Sequence, residues 1–270
     1  MPPPRGYSLV TRALPKVQME RAEDEETVAM GTGLGSVDVN SRRGSRIARW
    51  LGVGIALTAA SYATYAAVTW FRYGHATQPT RGLDVDPLLD RFMPAYEVVE
   101  RHRVRVAAPA ETTLAAARQM DLNRSWLVRA VFRGRELILG STPDERRQPR
   151  ALLPLVESLG WGVLAEVPSR ELVLGAVTKP WEPDVVFRAL PPDEFAGFHE
   201  PGYVKIVWTL RADPIGPTES IFRTETRAVA TDPTARARFR RYWSFFSPGI
   251  GVIRRMMLGP LKHDAENRAR

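Results

Sequence analysis

The longest apolar stretch of the chain runs from Trp50 to Phe71, 22 residues without a charge. As a helix rising 1.5 Å per residue it would be about 33 Å long, which matches the hydrocarbon core of a bilayer. Trp50 and Trp70 lie near its ends, where aromatic rings favour the membrane interface. The pattern therefore predicts one transmembrane helix over residues 50–71.

The segments that flank this run predict its orientation. Residues 1–49 show little hydrophobic periodicity and are predicted to form a disordered tail. This tail carries arginines at positions 42, 43, 46 and 49, and fewer basic residues follow the run. The positive-inside rule then places the N-terminus in the cytoplasm and the C-terminal domain outside it. A cleaved signal peptide is the alternative, disfavoured because the apolar run is longer than a typical signal-peptide core.

The rest of the sequence predicts a short linker over residues 72–91 and one folded domain over residues 92–270. Apolar side chains alternate at Leu172, Leu174 and Ala176, and again from Val204 to Leu210. Such alternation is typical of antiparallel strands with one buried face. The predicted elements are a strand at 97–106, a helix at 111–120, a short helix at 127–133, an apolar segment at 152–159, and strands at 162–166, 171–177, 204–211 and 219–230.

A long helix is predicted at the C-terminal end. Asp232 offers an N-cap acceptor, and Pro233 suits the first helical position. Pro248 lacks an N–H group, so a break or kink is expected there. The first part of this helix carries an apolar stripe at spacings i, i+3, i+4 and i+7, formed by Phe239, Tyr242, Trp243 and Phe246.

Two motifs resemble a known family. The run from Val104 to Thr112 (VRVAAPAET) looks like a first strand that enters a first helix, and the strand at Thr224–Arg227 leads into the Asp232 helix. Over about residues 96–266 the chain resembles the helix-grip fold of the START-like superfamily, also called SRPBCC or polyketide cyclase/dehydrase-like. The resemblance implies an α+β fold in which an antiparallel sheet grips a long, kinked C-terminal helix, here preceded by one transmembrane helix. The stretch 126–160 and the proline-rich insert 179–192, a lid or a lengthened hairpin, depart from the family pattern.

Charge and composition exclude several functions. The net charge is +8, of which +6 lies in Asp232–Arg270, but no nucleic-acid recognition motif accompanies it, so no nucleic-acid partner is expected. The chain has no cysteine, and its histidines lack the spacing of metal ligands. We therefore expect neither a metal nor another cofactor. No motif indicates an oligomeric state.

The resemblance also implies a ligand cavity between the sheet and the long helix, which would bind a hydrophobic small molecule or a lipid. The alternative is that the aromatic rings predicted to line it fill the core, which we favour for any single ring. The six candidates are Trp161, Phe187, Phe198, Trp208, Phe222 and Trp243.

Two residues are candidates for a catalytic base. Glu225 alternates with Arg223 and Arg227 along one strand. These three residues either line the cavity, where Glu225 could act as a base, or form a row of charges on the protein surface. We favour the surface arrangement. His199 precedes Glu200 on a loop and could transfer a proton, although adjacent residues on a turn usually point apart.

These observations favour a membrane-anchored, non-enzymatic domain that binds an apolar molecule. One alternative is a cyclase- or dehydratase-like enzyme that uses Glu225 or His199 as its base. The other is a structural or interaction module with a filled core.

Overall fold

The computed structural model describes residues 39–76, 85–121, 125–140 and 149–270. The chain divides into two compact units, Met1–Gly52 and Val53–Arg270. Of the first unit, the described part is the beginning of one long helix. The second unit contains the rest of this helix and the whole folded domain.

The long helix, α1, spans Val39–Arg72. The tail predicted for residues 1–49 is thus helical from Val39 onward, and its first 38 residues lie outside the described part of the chain. An existing helix gains one hydrogen bond for each residue added, so an apolar helix readily extends into a polar flank. From Arg49 to Arg72 the helix is long and apolar enough for a membrane span or a signal sequence, and none of this span is buried in the protein.

The folded domain mixes strands and helices in the predicted order. Helix α4 is longer than expected, and the proline-rich insert contributes a two-residue strand that pairs with β3. The elements are α2 (Pro87–Asp90), β1 (Val98–Val106), α3 (Ala110–Gln119), α4 (Trp126–Leu139), α5 (Leu152–Ser158), β2 (Gly162–Val167), β3 (Glu171–Thr178), β4 (Phe187–Arg188), α6 (Pro192–Phe195), β5 (Val204–Gly216), β6 (Glu219–Ala230) and α7 (Pro233–Arg268).

The strands form one six-stranded antiparallel sheet in the order β1-β6-β5-β3-β2, with β4 beside β3. Helices α3, α5 and α7 pack on one face, which we call the front face. The predicted α+β class, with an antiparallel sheet against a long C-terminal helix, is confirmed. The front-face core includes Val106, Leu172, Leu174, Trp208, Leu210, Phe222 and Leu261.

The opposite face of the sheet, the back face, is also covered. Every residue of β3 is buried, including Val173 and Val177, which point to the back. The expectation of a sheet buried on one side was therefore wrong. The segment that precedes β1 covers this face with Leu89, Phe92 and Met93, together with Phe195 of α6. Residues 85–91, predicted as linker, thus pack as part of the domain.

Helix α7 begins as predicted and does not break. The Asp232 carboxylate accepts hydrogen bonds from the backbone N–H groups of Thr234 (2.8 Å) and Ala235 (3.0 Å). The helix then continues without interruption through Pro248 and Pro260 to Arg268. Of the two outcomes expected at Pro248, the break is therefore wrong, and the kink stays a prediction. Burial against the sheet on both sides of the prolines, at Phe239 and Leu261, supports each half of the helix and offsets the missing hydrogen bonds.

The C-terminal end of α1 is attached directly to the domain. The Tyr73 ring packs edge-on against Phe239 of α7, with 5.8 Å between ring centroids. The Gly74 N–H donates to the carbonyl of Glu97, just before β1, at 3.0 Å. Gly74 adopts a φ of +78°, which favours glycine, and a Cβ there would meet the Arg236 guanidinium at 2.7 Å. The end of α1 is therefore fixed to both β1 and α7.

Replacement of Leu261 by alanine should test the contact between α7 and the sheet. Leu261 is 1% exposed in the front-face core, so Leu261→Ala should lower the free energy of unfolding by about 2–5 kcal/mol. Urea denaturation of the full chain in detergent would measure this. The control is Arg255→Ala, at an exposed position of the same helix. Equal effects of the two substitutions would contradict the packing described here.

Candidate functional site

The region between the front face and α7 is closely packed. The residues that line it, which we call the seam, enclose a gap of only about 10 Å³. A gap of this size holds about one water molecule at most. The seam consists of Met120, Trp208, Leu210, Phe222, Thr224, Arg254, Met257, Leu258 and Leu261.

Arg254 is the charged residue of the seam. Its guanidinium carbon lies 4.0 Å from the centre of the Trp208 ring, a cation–π contact. The Trp208 indole N–H donates in turn to the Thr224 hydroxyl at 2.6 Å. Burial lowers the pKa of Arg254 to about 10, and the charge of Glu100 offsets part of this effect. Among the described residues, none forms a hydrogen bond or a salt bridge with this guanidinium.

A second polar group lies on the same side of the sheet. Strand alternation directs Glu100 and His102 of β1 toward α7. Their side chains approach to 3.5 Å, yet the buried Nε2 of His102 has no hydrogen-bond partner among the described residues. In the part of the chain that the structure describes, the front face thus contains a guanidinium without a hydrogen bond or salt bridge and an imidazole nitrogen without a hydrogen bond, next to apolar side chains.

The six rings predicted to line a cavity lie in four places. Trp208 and Phe222 lie in the seam. Trp161 packs beside it, 6.3 Å from Trp208 and 5.2 Å from Phe187. Trp243 packs against Phe239 nearer the start of α7, and Phe198 lies on the back face against Tyr203.

The second polar region lies on the back face and centres on Arg227, which is 1% exposed. Its guanidinium donates to Glu225 (2.7 Å), Asp90 (2.5 Å) and the Met93 carbonyl (2.8 Å). Glu225 also binds Arg101, at 3.0 Å. Both oxygens of Glu225 therefore face guanidinium groups, and the residue lies on the side of the sheet away from the seam.

A further group of charges continues this region along the sheet. Asp213 accepts hydrogen bonds from Arg223 (2.6 Å) and Arg211 (2.8 Å). These residues, with Arg227, Glu225, Arg101, Asp86, Asp90 and Glu171, form what we call the charged cluster. Arg223, Glu225 and Arg227 are at most 8% exposed, so they form neither a surface ladder nor part of the seam.

Within the charged cluster, Asp86 and Glu171 approach each other closely. The pKa of Glu171 is raised to about 7, mainly by burial. A hydrogen bond with the Asp86 carboxyl and the negative charge of Asp86 act in the same direction. Arg211 and the Thr209 hydroxyl, 3.2 Å from Glu171, oppose the shift. Asp86 also caps α2, since it accepts the Leu89 N–H at 2.9 Å. The pair thereby links the segment before β1 to β3.

A cleft of about 250 Å³ opens beside the charged cluster. Arg101, Arg211 and Arg223, which line it, are paired with carboxylates. From the segment before β1, Tyr96 and Asp86 reach Arg101 and Arg211, and Asp90 and the Met93 carbonyl bind Arg227 of the charged cluster. The cluster therefore fastens this segment to the sheet. The cleft is lined by Asp86, Arg101, His102, Arg103, Thr209, Arg211, Arg223, Thr224 and Glu225.

The loop with His199 shows no catalytic geometry. His199 is exposed and has no hydrogen bond or salt bridge to any described residue. Its neighbour Glu200 instead pairs with Arg188 at 2.7 Å, and Arg188 lies over the rings of Phe198 and Tyr203. Among the described residues, no group of three His, Cys, Asp or Glu side chains could hold a metal ion.

Comparison with known proteins gives a likeness of fold alone. No protein-family model and no curated protein matches the sequence. Among solved structures, a hypothetical protein from Helicobacter pylori is 7% identical, with 72% of this chain and 100% of that chain covered and a TM-score of 0.32.

Two further structures have names that indicate their family. The ZhuI aromatase/cyclase from Streptomyces sp. R1128 is 14% identical, with 64% of this chain and 96% of that chain covered and a TM-score of 0.23. A START superfamily protein from Mycobacterium smegmatis is also 14% identical, with 63% and 96% covered and a TM-score of 0.22. Similarity at this level carries no information on ligand or activity.

Removal of the Arg227 charge should destabilise the domain strongly. Arg227→Met leaves Glu225 and Asp90 without their shared partner, and breaking a buried ion pair in this way costs about 3–5 kcal/mol. The same change at exposed Arg238 should alter the free energy of unfolding by less than about 0.5 kcal/mol. Urea denaturation of both variants would measure the difference. A small effect of Arg227→Met would show that the cluster does not hold the domain together.

Glu171 should make stability depend on pH. The pKa of Glu171 is higher in the folded state than its ordinary value of 4.5. Its contribution to the free energy of unfolding is therefore complete below pH 4.5 and is lost as the pH rises through about 7. Since one pKa unit corresponds to about 1.4 kcal/mol, the wild type should lose on the order of 2 kcal/mol between pH 5 and pH 8 relative to Glu171→Gln. Denaturant unfolding across this range would measure the loss. Exposed Glu157→Gln should follow the wild type, and parallel curves for the wild type and Glu171→Gln would contradict the assignment.

Proposed function

We propose that this protein is a single-pass membrane protein whose folded domain binds an anionic amphiphile, such as a fatty acid or an acidic lipid, between the sheet and α7. Binding would involve no chemical change of the ligand. Helix α1 would be the anchor, with the N-terminus in the cytoplasm and the domain on the other side.

The observation that carries this proposal is Arg254. Arg254 faces an apolar seam with the charge of Glu100 nearby but with no hydrogen bond or salt bridge to a carboxylate among the described residues, so it has lost much of its hydration without a direct ion pair in return. A carboxylate or phosphate group beside it would supply the missing partner through charge-assisted hydrogen bonds. The apolar part of such a ligand would then contact Trp208, Phe222 and the methionines of the seam.

The seam must open to admit a ligand, and α7 has the composition for this. The part of the helix that covers the seam contains Pro248, Gly249, Gly251, Gly259 and Pro260. Each glycine weakens a helix by about 1 kcal/mol and each interior proline by about 3 kcal/mol relative to alanine. Met120 and Met257 add flexible side chains that adapt their shape to a ligand. This part of α7 is thus the easiest to displace.

The enzyme alternative has less support. Glu225 is engaged by two arginines on the back face, and His199 is exposed on a loop with no partner among the described residues. A base must lie within hydrogen-bond reach of a proton on a bound substrate. Neither side chain faces the seam, so a cyclase or dehydratase mechanism through either would require another binding site.

A filled-core scaffold is the second candidate function. The seam's gap of about 10 Å³ favours it, because the packed side chains leave no room for a ligand in this conformation. The two candidates differ in whether a ligand displaces α7.

Ligand binding should depend on the charge of Arg254. Oleate should bind the full-length wild-type protein, and Arg254→Leu should weaken binding about tenfold or more, since hydrogen bonds to charged groups contribute roughly 1.5–3 kcal/mol. Methyl oleate has the same chain without the charge, so it should bind both proteins equally. Native mass spectrometry of the protein released from nanodiscs would measure the bound fraction at each concentration.

The matched control is Arg255→Leu, which removes the adjacent exposed arginine and should bind oleate like the wild type. Equal weakening by both substitutions would indicate nonspecific attraction of the anion and contradict the role of Arg254. Failure of the wild type to bind either probe would favour the filled-core scaffold.

A further inference from the structure

Helix α7 carries apolar side chains on the side that faces away from the sheet. Phe245, Val252 and Met256 are 50%, 42% and 38% exposed. Their spacing of i, i+7 and i+11 places them on one side of the helix, and Pro248 and Gly249 lie between them. We call this set the outer stripe. It lies within Tyr242–Met256, where residues 242–253 carry no charge.

The outer stripe begins where α7 touches the middle of α1. The Tyr62 hydroxyl donates to the Phe245 carbonyl, and the Tyr65 hydroxyl lies 3.4 Å from the Ser247 hydroxyl. Tyr65 and Tyr62 are six and nine residues before Phe71, which corresponds to about 9 Å and 14 Å along the helix axis.

These distances have a consequence if α1 crosses the bilayer. Phe71 marks the end of the apolar run, so Tyr65 and Tyr62 lie well inside the hydrocarbon core. The parts of α7 that contact them must then lie below the lipid headgroups as well. A domain held away from the membrane by a linker could not make these contacts.

Basic residues lie at both ends of the stripe. Arg241 and Arg255 are exposed, each about one helical turn from Phe245 and Val252 respectively. Arg240, at the same end as Arg241, donates to the Trp70 carbonyl at 3.0 Å and covers the Trp70 ring at 4.3 Å. An apolar helical side with arginines at its edges is typical of helices that lie in the interface of an anionic bilayer.

We propose that the outer stripe of α7 is embedded in the bilayer beside α1, so that the domain contacts the membrane through two helices. The inference rests on the membrane anchor of the proposed function. It deepens that function because the glycine- and proline-rich part of α7, which closes the seam, would adjoin the lipid phase. A lipid-derived ligand could then reach Arg254 without passing through water.

Depth-dependent fluorescence quenching would test this placement. The chain contains no cysteine, so single cysteines can be introduced and labelled with an environment-sensitive dye in the full-length protein. The test positions are Phe245→Cys and Val252→Cys, in vesicles of phosphatidylcholine and phosphatidylglycerol with spin labels on the acyl chains. Leu57→Cys in α1 reports on the anchor. Val167→Cys, exposed on β2 and directed to the back face, is the aqueous control.

We expect the dyes at positions 245 and 252 to be quenched several-fold more than the dye at position 167. Their quenching should lie within about twofold of that at position 57, because a membrane-embedded stripe lies roughly 5–10 Å below the headgroups. Strong quenching at 57 with values at 245 and 252 equal to that at 167 would overturn the proposal and leave the anchor intact. Absence of quenching at 57 would overturn both the anchor and this inference. Circular dichroism of each labelled protein checks that it is folded.

Discussion

A charged side chain that is buried between the sheet and the segments covering it is stable only when it is paired. In this structure the guanidinium of Arg227 is the most deeply buried of these charges. The side chain is almost wholly removed from water and donates to two carboxylates and one carbonyl. Two of these acceptors, Asp90 and the Met93 carbonyl, belong to the segment before β1. The pairing of charge inside the sheet is therefore also what holds this segment in place.

The charged groups on the two faces of the sheet have different surroundings. On the back face, the carboxylates and guanidinium groups of the charged cluster form ion pairs with one another, and these pairs attach the segment before β1 to the sheet. On the front face, Arg254 lies against Trp208 in a mostly apolar seam, and in the described part of the chain no carboxylate forms a salt bridge with it. A charge without a hydrogen-bonded partner in an apolar region is costly to maintain, and this cost is the physical basis of the proposed function.

The local pattern of the sequence predicted most of the fold. Alternation in β3, β5 and β6 identified the strands, and the Asp232–Pro233 pair located the start of α7 almost to the residue. The errors came from tertiary contacts. Proline at position 248 predicts a break only for a helix that stands alone, whereas α7 is held by the sheet on both sides of it.

The candidate site was harder to predict for related reasons. Trp208 and Phe222 could be identified as inward-facing rings from strand alternation. Arg254 gave no such signal, because a single arginine in an arginine-rich helix looks like any solvated one. Glu225 and its neighbours had the right alternation, but the residues that bury them come from positions 86–96, and nothing in a strand's own sequence reveals which distant segment covers it.

The attachment of Gly74 to Glu97 has one further consequence. The chain between residues 76 and 85 starts at a helix end already bonded to the sheet, and it finishes at Asp86, which is held by α2 and the charged cluster. The two ends of this stretch have positions that are set by other contacts, and the entropic cost of joining two fixed points grows only with the logarithm of the length of the connecting chain. An epitope or a protease site inserted between residues 76 and 85 would thus be accommodated without separating the helix from the domain. Cleavage there would leave the two pieces associated.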